Sequence, residues 1–180
     1  MSPADRPSRT RPDVRERIAG RFLRLSNPLA RRLIVAGVPT GAPNVLLAVR
    51  GRRSGIERTT PLGMLELDGR WFVQASYGEG GWVGNLRAAG EATVIHPGGR
   101  RTRVRAVELP SEEAAAILRR ALEPFGRSRV LRALYGPRMR GPVAVARRFH
   151  IRIDDTPEEF LAEARRHPLF ELRPTTETAE

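Results

Sequence analysis

The sequence predicts an α+β fold: a small antiparallel barrel of roughly six strands with helices on its flanks. Three observations predict it. Apolar runs of strand length recur between residues 45 and 109, divided by turns rich in glycine and proline. Asp68-Gly69 between two such runs is the hairpin dipeptide that favours positive φ. Helical stretches with their own start and stop residues lie before, between and after the strands.

The elements follow in order. Residues 1–12 are polar and rich in Pro and Arg, the composition of a disordered tail. The domain spans residues 13–168, with a helical N-terminal segment over 13–36, a C-terminal helix over 156–167, and a tail over 169–180. Val14 to Leu25 fits a basic amphipathic helix whose stripe is Ile18, Phe22 and Leu25. Asn27-Pro28 interrupts it, and Leu29 to Val35 forms a second short helix before Pro39-Thr40-Gly41. Val45 to Arg50 and Arg58 to Leu67 are the first two strands, and Trp71 to Ser76 the third. Trp82 to Ala89 reads as a short helix stopped by Gly90. Ala92 to His96 and Arg101 to Leu109 are strands joined by Pro97-Gly98-Gly99.

Pro110-Ser111 opens a helix with Glu112 and Glu113 in its first turn and Leu118, Ala121, Leu122 and Phe125 as its apolar stripe. Val130 to Tyr135 is a further helix and Val143 to Ile153 the last strand. Thr156-Pro157-Glu158-Glu159 is a capping box with Pro at the first helical position.

Composition narrows the function. The 180 residues contain no cysteine, which excludes disulfides, thiolate metal sites and cysteine nucleophiles. No apolar run approaches the roughly 20 residues of a membrane span, and a cytoplasmic location is the default expectation. The net charge is +12, and all 32 basic residues are arginines. Residues 1–60 hold 13 Arg against 4 acids, whereas residues 154–180 hold 8 acids against 3 Arg. The basic end therefore suits an anionic ligand. With 6% aromatics and no strand that interleaves basic and aromatic side chains, nucleic acid is not the expected partner.

One basic turn stands out, at Gly51-Arg52-Arg53-Ser54-Gly55 with Arg58 just beyond it. Glycines free its backbone, and guanidinium forks and N–H groups both match phosphate oxygens. Other constellations fall away. His96, His150 and His167 lack partners at metal-ligand spacing, so no metal is expected. There is no Gly-x-Ser-x-Gly elbow. The Gly78-Glu79-Gly80-Gly81 loop precedes a helix, but its next glycine, Gly84, comes one place late for a dinucleotide fingerprint, and no βαβ unit follows. Trp82 and Asn85, three apart, share one helix face on which a flat ligand could rest.

In sequence order, Gly51-Arg52-Arg53-Ser54-Gly55, Arg58, Pro61-Leu62, Asp68-Gly69, Trp71, Ala75-Ser76, Trp82 and Asn85-Leu86 form a series. The series resembles the deazaflavin (coenzyme F420)-dependent nitroreductase and quinone reductase family, and the resemblance runs from Val45 to about Leu109. It implies a split β-barrel. It also implies that Arg52, Arg53, Ser54 and Arg58 grip the phosphate of the coenzyme, an 8-hydroxy-5-deazaflavin, and lead its acidic tail outward. By the same resemblance Thr59, Thr60, Pro61, Leu62 and Gly63, with Gln74, Ala75, Ser76 and Tyr77, line the ring system. Gly81, Trp82 and Asn85 close its side. Gly63 stands where some nitroreductases carry a tyrosine, which removes a hydroxyl from the substrate side.

The activity so implied is hydride transfer from the reduced coenzyme to a small electron-poor acceptor, a quinone, enone or nitro compound. Ser76, Tyr77 and Tyr135 are the candidate catalytic side chains for steadying the acceptor and delivering a proton. Flavin mononucleotide (FMN) as the cofactor, or a carrier that binds without turnover, are the alternatives. The basic N-terminal helix offers either a peripheral membrane contact or a cover across the barrel, and both a monomer and a homodimer are compatible with the sequence.

Overall fold

The computed structural model describes residues 28–38, 44–76, 81–127 and 156–175. Residues 28–35 are helical (α1). Then come β1 (Val45–Arg50), β2 (Glu57–Leu62), β3 (Met64–Leu67), β4 (Arg70–Gln74), α2 (Gly81–Ala89), β5 (Glu91–Ile95), β6 (Arg101–Glu108), α3 (Ser111–Arg127), α4 (Pro157–Arg166) and β7 (Leu169–Pro174). All strand pairs are antiparallel.

The strands form one sheet in the order β2-β1-β5-β6-β7-β4-β3. Its two edge strands, β2 and β3, are joined by Gly63 alone. One residue spans no more than about 3.6 Å. The two edges must therefore meet, and the sheet curls into a split barrel with its seam at Gly63.

Asn44 holds the seam from the neighbouring strand. Its backbone N–H donates to Leu62 O (3.0 Å), before Gly63. After Gly63, its Oδ1 accepts from Met64 N–H (2.8 Å) and its Nδ2 donates to Met64 O (3.2 Å). The side-chain amide thus copies a peptide group and bonds the first residue of β3 as a strand partner would.

The alternation of side chains divides the core. Val45, Leu47 and Val49 of β1 point inward with Val73, Ala75, Val94, Val104, Phe170 and Leu172, and α2 adds Val83 and Leu86 to this cluster. Outside the barrel, Leu46 and Ala48 of β1 pack with Ile95 under Ile34 of α1. Coverage on both sides explains why β1 is a continuous apolar run. Elsewhere on the outside, Phe72 and Leu169 pack against α3 and α4 through Ala114, Leu118, Leu122, Phe160 and Ala164. Pro61 sits in β2 without harm, because an edge strand need not use every N–H.

Several expectations hold closely. The Asp68-Gly69 turn has φ of 52° and 71°. The capping box at Thr156 is present, with Glu159 N–H donating to Thr156 Oγ1 (3.3 Å) and Thr156 N–H to Glu159 Oε2 (2.7 Å). Two expectations need correction. Arg58 to Leu67 is not one strand: it is β2 and β3, on opposite edges, because the chain leaves one edge and joins the other at Gly63. Residues 169–180 are not wholly a tail, since Leu169–Pro174 forms β7 between β6 and β4, which brings the count of described strands to seven. The tail over 1–12, the helix at Val14 to Leu25, the helix at Val130 to Tyr135 and the strand at Val143 to Ile153 lie outside the described residues.

β7 also carries a carboxylate that is only 5% exposed, Glu171. Arg70 Nε donates to its Oε1 (2.7 Å), and Arg173 Nε and Nη2 donate to its Oε2 (3.0 and 2.7 Å). The Arg70 hydrogen bond, the largest influence, draws the Glu171 pKa down from 4.5 to about 2 against the opposing effect of burial. A depressed carboxylate pKa stabilises the fold fully above about pH 4.5, and that contribution disappears as pH falls through about 2.

Two predictions follow from these contacts. Asn44→Ala should lower the unfolding free energy by about 1–3 kcal/mol in denaturant titrations, since Met64 loses both partners at the seam. Glu171→Gln should destabilise the protein by on the order of 3 kcal/mol at neutral pH. Its deficit relative to the native chain should shrink below pH 4.5, and an unchanged deficit down to pH 2 would show that Glu171 is not the group responsible.

Candidate functional site

The basic turn joins β1 to β2 and is stitched internally. Gly55 N–H donates to Gly51 O (2.8 Å) and Gly51 N–H to Ile56 O (2.9 Å), while Ile56 N–H reaches Ser54 Oγ (3.4 Å). A Cβ on Gly51 would lie 2.9 Å from Ser54 Oγ and 3.0 Å from Ile56 O, so a larger residue would crowd this turn. The N–H groups of Arg53 and Ser54 find no acceptor among the described residues. Open N–H groups in a turn of this kind are the donors that an anion uses.

Helix α2 holds the turn from the side. Arg52 N–H donates to Asn85 Oδ1 (3.2 Å), and Arg52 Nη1 reaches Gly81 O (3.5 Å). The guanidinium lies over Gly84, where a Cβ would fall on Nη1 and within 2.8 Å of Cζ. Arg52 is thus engaged with α2. Arg50, Arg53 and Arg58 make no ion pair among the described residues, and Glu57, the acid of the turn, is paired with Arg101 (3.4 Å). Guanidinium groups of Arg50 and Arg58 both come near the turn glycines. The result is a small surface with several uncompensated positive charges and two open N–H donors.

β2 runs from this turn to the seam. Ala48 pairs with Thr59 and Leu46 with Pro61, so Thr59 and Pro61 share the outer face. Leu47 pairs with Thr60 and Val45 with Leu62, so Thr60 and Leu62 point inward. Across the seam, Met64 pairs with Val73, and β4 then overruns the end of β3 through Gln74, Ala75 and Ser76. Ala75 belongs to the interior, whereas Gln74 and Ser76 alternate to the outside with Phe72.

Three polar atoms on that outer face are buried without a hydrogen-bond partner among the described residues: Thr59 Oγ1, Gln74 Oε1 and Ser76 Oγ. Buried polar atoms are nearly always paired. Three orphans, one on β2 and two at the end of β4 beside β3, are therefore fit to receive a polar ligand. Gln74 is fixed in orientation, since its Nε2 donates to His167 O (3.3 Å) and so turns Oε1 away.

Residues 24–126 match the family model described as F420H(2)-dependent quinone reductase. The chain belongs to that family. The reductase is accordingly an oxidoreductase that depends on coenzyme F420, as the order of its motifs implied. Among curated proteins none matches the sequence. Among solved structures, an F420-H2 dependent reductase, FDR-A, is 22% identical, with 73% of this chain and 95% of that chain covered and a TM-score of 0.46. A chain solved as a domain-swapped dimer is 19% identical over 86% of this chain and 99% of its own, with a TM-score of 0.45. The family assignment rests on the sequence match and the fold on the strand order described above.

Among the anticipated site residues of the reductase, Arg52, Arg53, Ser54 and Arg58 come together in one turn, against Gly81 and Asn85 of α2. Of the nine residues expected around the ring, the eight described ones divide by face: Thr59, Pro61, Gln74 and Ser76 lie outside, Thr60, Leu62 and Ala75 inside, and Gly63 at the seam. Trp82 packs on the barrel core, its ring 5.9 Å from that of Phe170. Tyr77 and Tyr135 lie outside the described residues. His96 is a barrel histidine, edge-on to Trp71 (5.3 Å) and bonded to Thr102 Oγ1 (3.1 Å), with its pKa lowered by burial and then by Arg100. Sequence reasoning missed Arg50, Asn44 and Gly84; Asn44 and Gly84 act through contacts with Met64 and Arg52, 20 and 32 positions away.

Gly84→Ala isolates the Arg52 contact. Alanine should raise helix stability by about 0.5–1 kcal/mol while displacing the guanidinium from α2. Denaturant unfolding should show unchanged or slightly increased stability, and a large loss would mean that Arg52 cannot yield at that point.

Proposed function

We propose that the reductase transfers a hydride from reduced coenzyme F420 to a small electron-poor acceptor such as a quinone, enone or nitro compound, and that the coenzyme lies across the seam. The observation that carries this reading is the set of polar atoms without a partner among the described residues, Thr59 Oγ1, Gln74 Oε1 and Ser76 Oγ, beside a turn whose Arg50, Arg53 and Arg58 make no ion pair among those residues. When bound, the reduced coenzyme supplies the hydride.

The protein's own contribution is binding, orientation and charge. Arg53, Arg58 and Arg50, with the N–H groups of Arg53 and Ser54, would neutralise and hold the phosphate. Arg52 would act through the turn, which it fixes to α2. Thr59 would donate its hydroxyl proton to a ring carbonyl, Ser76 to a ring carbonyl or to the acceptor, and Gln74 Oε1 would accept from a ring N–H. Pro61, on the same outer face as Thr59, would exclude water from one side of the ring. Ser76, Tyr77 and Tyr135 are the proposed groups for steadying charge on the acceptor. Gly63 brings no side-chain hydroxyl to that region, which leaves room for an acceptor and no donor from this position.

Fluorescence titration with oxidised coenzyme F420 tests the reading. The native chain should bind at micromolar concentration, and Arg53→Ala and Arg58→Ala should each weaken binding by about 1.5–3 kcal/mol, the worth of a charge-assisted hydrogen bond. Absence of binding, or a purified protein yellow with flavin and indifferent to F420, would overturn it.

A further inference from the structure

The last turn of α4 buries two titratable groups that no part of the proposed mechanism uses. Glu163 is 8% exposed and His167 2%. Burying a carboxylate and an imidazole is unfavourable unless their bonding compensates. Apolar residues would fill this volume readily, since Phe160 and Ala164 of the same helix, with Phe72 and Leu169, already belong to the surrounding cluster. The pair is nonetheless tightly made. His167 Nδ1 lies 2.7 Å from Glu163 Oε1, and His167 N–H donates to Glu163 O (2.8 Å). Side chain and backbone together leave residue 167 one orientation at the end of the helix.

That orientation aims two consecutive carbonyls at β4. His167 O accepts from Gln74 Nε2 (3.3 Å), and Pro168 O accepts from Ala75 N–H (3.0 Å). Two adjacent residues at the end of β4 are thus held by residues 167 and 168, and Ser76 follows directly. The Gln74 bond has a chemical consequence. With Nε2 engaged, the amide presents only Oε1, an acceptor, to the face where Thr59 and Ser76 supply hydroxyls. A glutamine left to rotate would present either end.

We propose that the Glu163–His167 pair is a positioning device that locks Gln74 with its acceptor outward, so that the reductase selects a planar ring edge bearing an N–H beside carbonyl oxygens. The role given to the ligand rests on the reading of the site above; the clamp itself stands on the geometry of α4 and β4. Glu163 and His167 act through Gln74 and Ala75 and touch no reacting atom.

The test uses the full chain with His167→Phe, which keeps a ring but removes the bond to Glu163, and His167→Asn, whose Nδ2 can replace the histidine donor. Glu163→Gln serves as a milder variant should the phenylalanine protein fold poorly. Without ligand, amide hydrogen exchange at Ala75 should quicken at least tenfold in His167→Phe and return towards the native rate in His167→Asn. With oxidised coenzyme F420, His167→Phe should weaken affinity about tenfold and shift the absorption band of the bound ring. In a Gln74→Leu background the same substitution should have little further effect on affinity, because the two changes act through one bond. Unchanged exchange at Ala75, or additive losses in the double variant, would overturn the clamp. Failure of the native chain to bind the coenzyme would instead overturn the ligand reading, while the exchange rates still decide the clamp.

Discussion

Closure of the sheet at Gly63 is the constraint on which the rest of the molecule depends. A single residue separates strands at opposite ends of the strand order, and the only geometry that satisfies both is a curled sheet whose edges meet. An open seam would leave the N–H and C=O of Met64 unpaired beside an apolar interior. Asn44 removes that problem by lending a side-chain amide to the edge, in the place a strand partner would occupy. Once the edges are joined, the interior and exterior of every strand are decided, because side chains alternate with a period of two.

The candidate site is a consequence of that closure. β2 brings Thr59 and Pro61 to the seam from one side, and the end of β4 brings Gln74 and Ser76 from the other. Neither strand alone makes a site. The turn before β2 adds charge, and α2 steadies it through Arg52, whose passage over the helix requires the missing side chain of Gly84. Arg52 is anchored to α2, whereas Arg50, Arg53 and Arg58 make no ion pair among the described residues, although the sequence presents them as one basic cluster. The difference follows from which of them can reach a carbonyl on α2.

Much of the local structure was legible. β1 showed as an unbroken apolar run, the Asp68-Gly69 turn as a dipeptide suited to positive φ, and α4 as a capping box, because each depends on interactions within a few residues. The basic turn was legible for the same reason, and the family followed from the spacing of motifs, which the match over residues 24–126 bears out. What escaped was non-local. The run from Arg58 to Leu67 looks like one strand, since nothing within it reports that its halves pair with different neighbours. β7 passed for a tail because Leu169–Pro174 is short, ends in proline and holds a carboxylate, Glu171, whose partner Arg70 lies about a hundred positions earlier in the chain. The histidine at 167 looked isolated, although Glu163 stands one helical turn before it.

The sequence by itself determined the class of fold, most of the strands, the capping box and the location of the basic turn, all of them properties of short segments whose preferences are encoded in adjacent residues. The tertiary structure alone decided which strands are neighbours, which side chains of each strand face the interior and which polar atoms of the described residues are left without partners. Those outcomes depend on pairings between residues far apart in the chain, such as Asn44 with Met64 and Gln74 with His167, whose energies exist only after the barrel has closed.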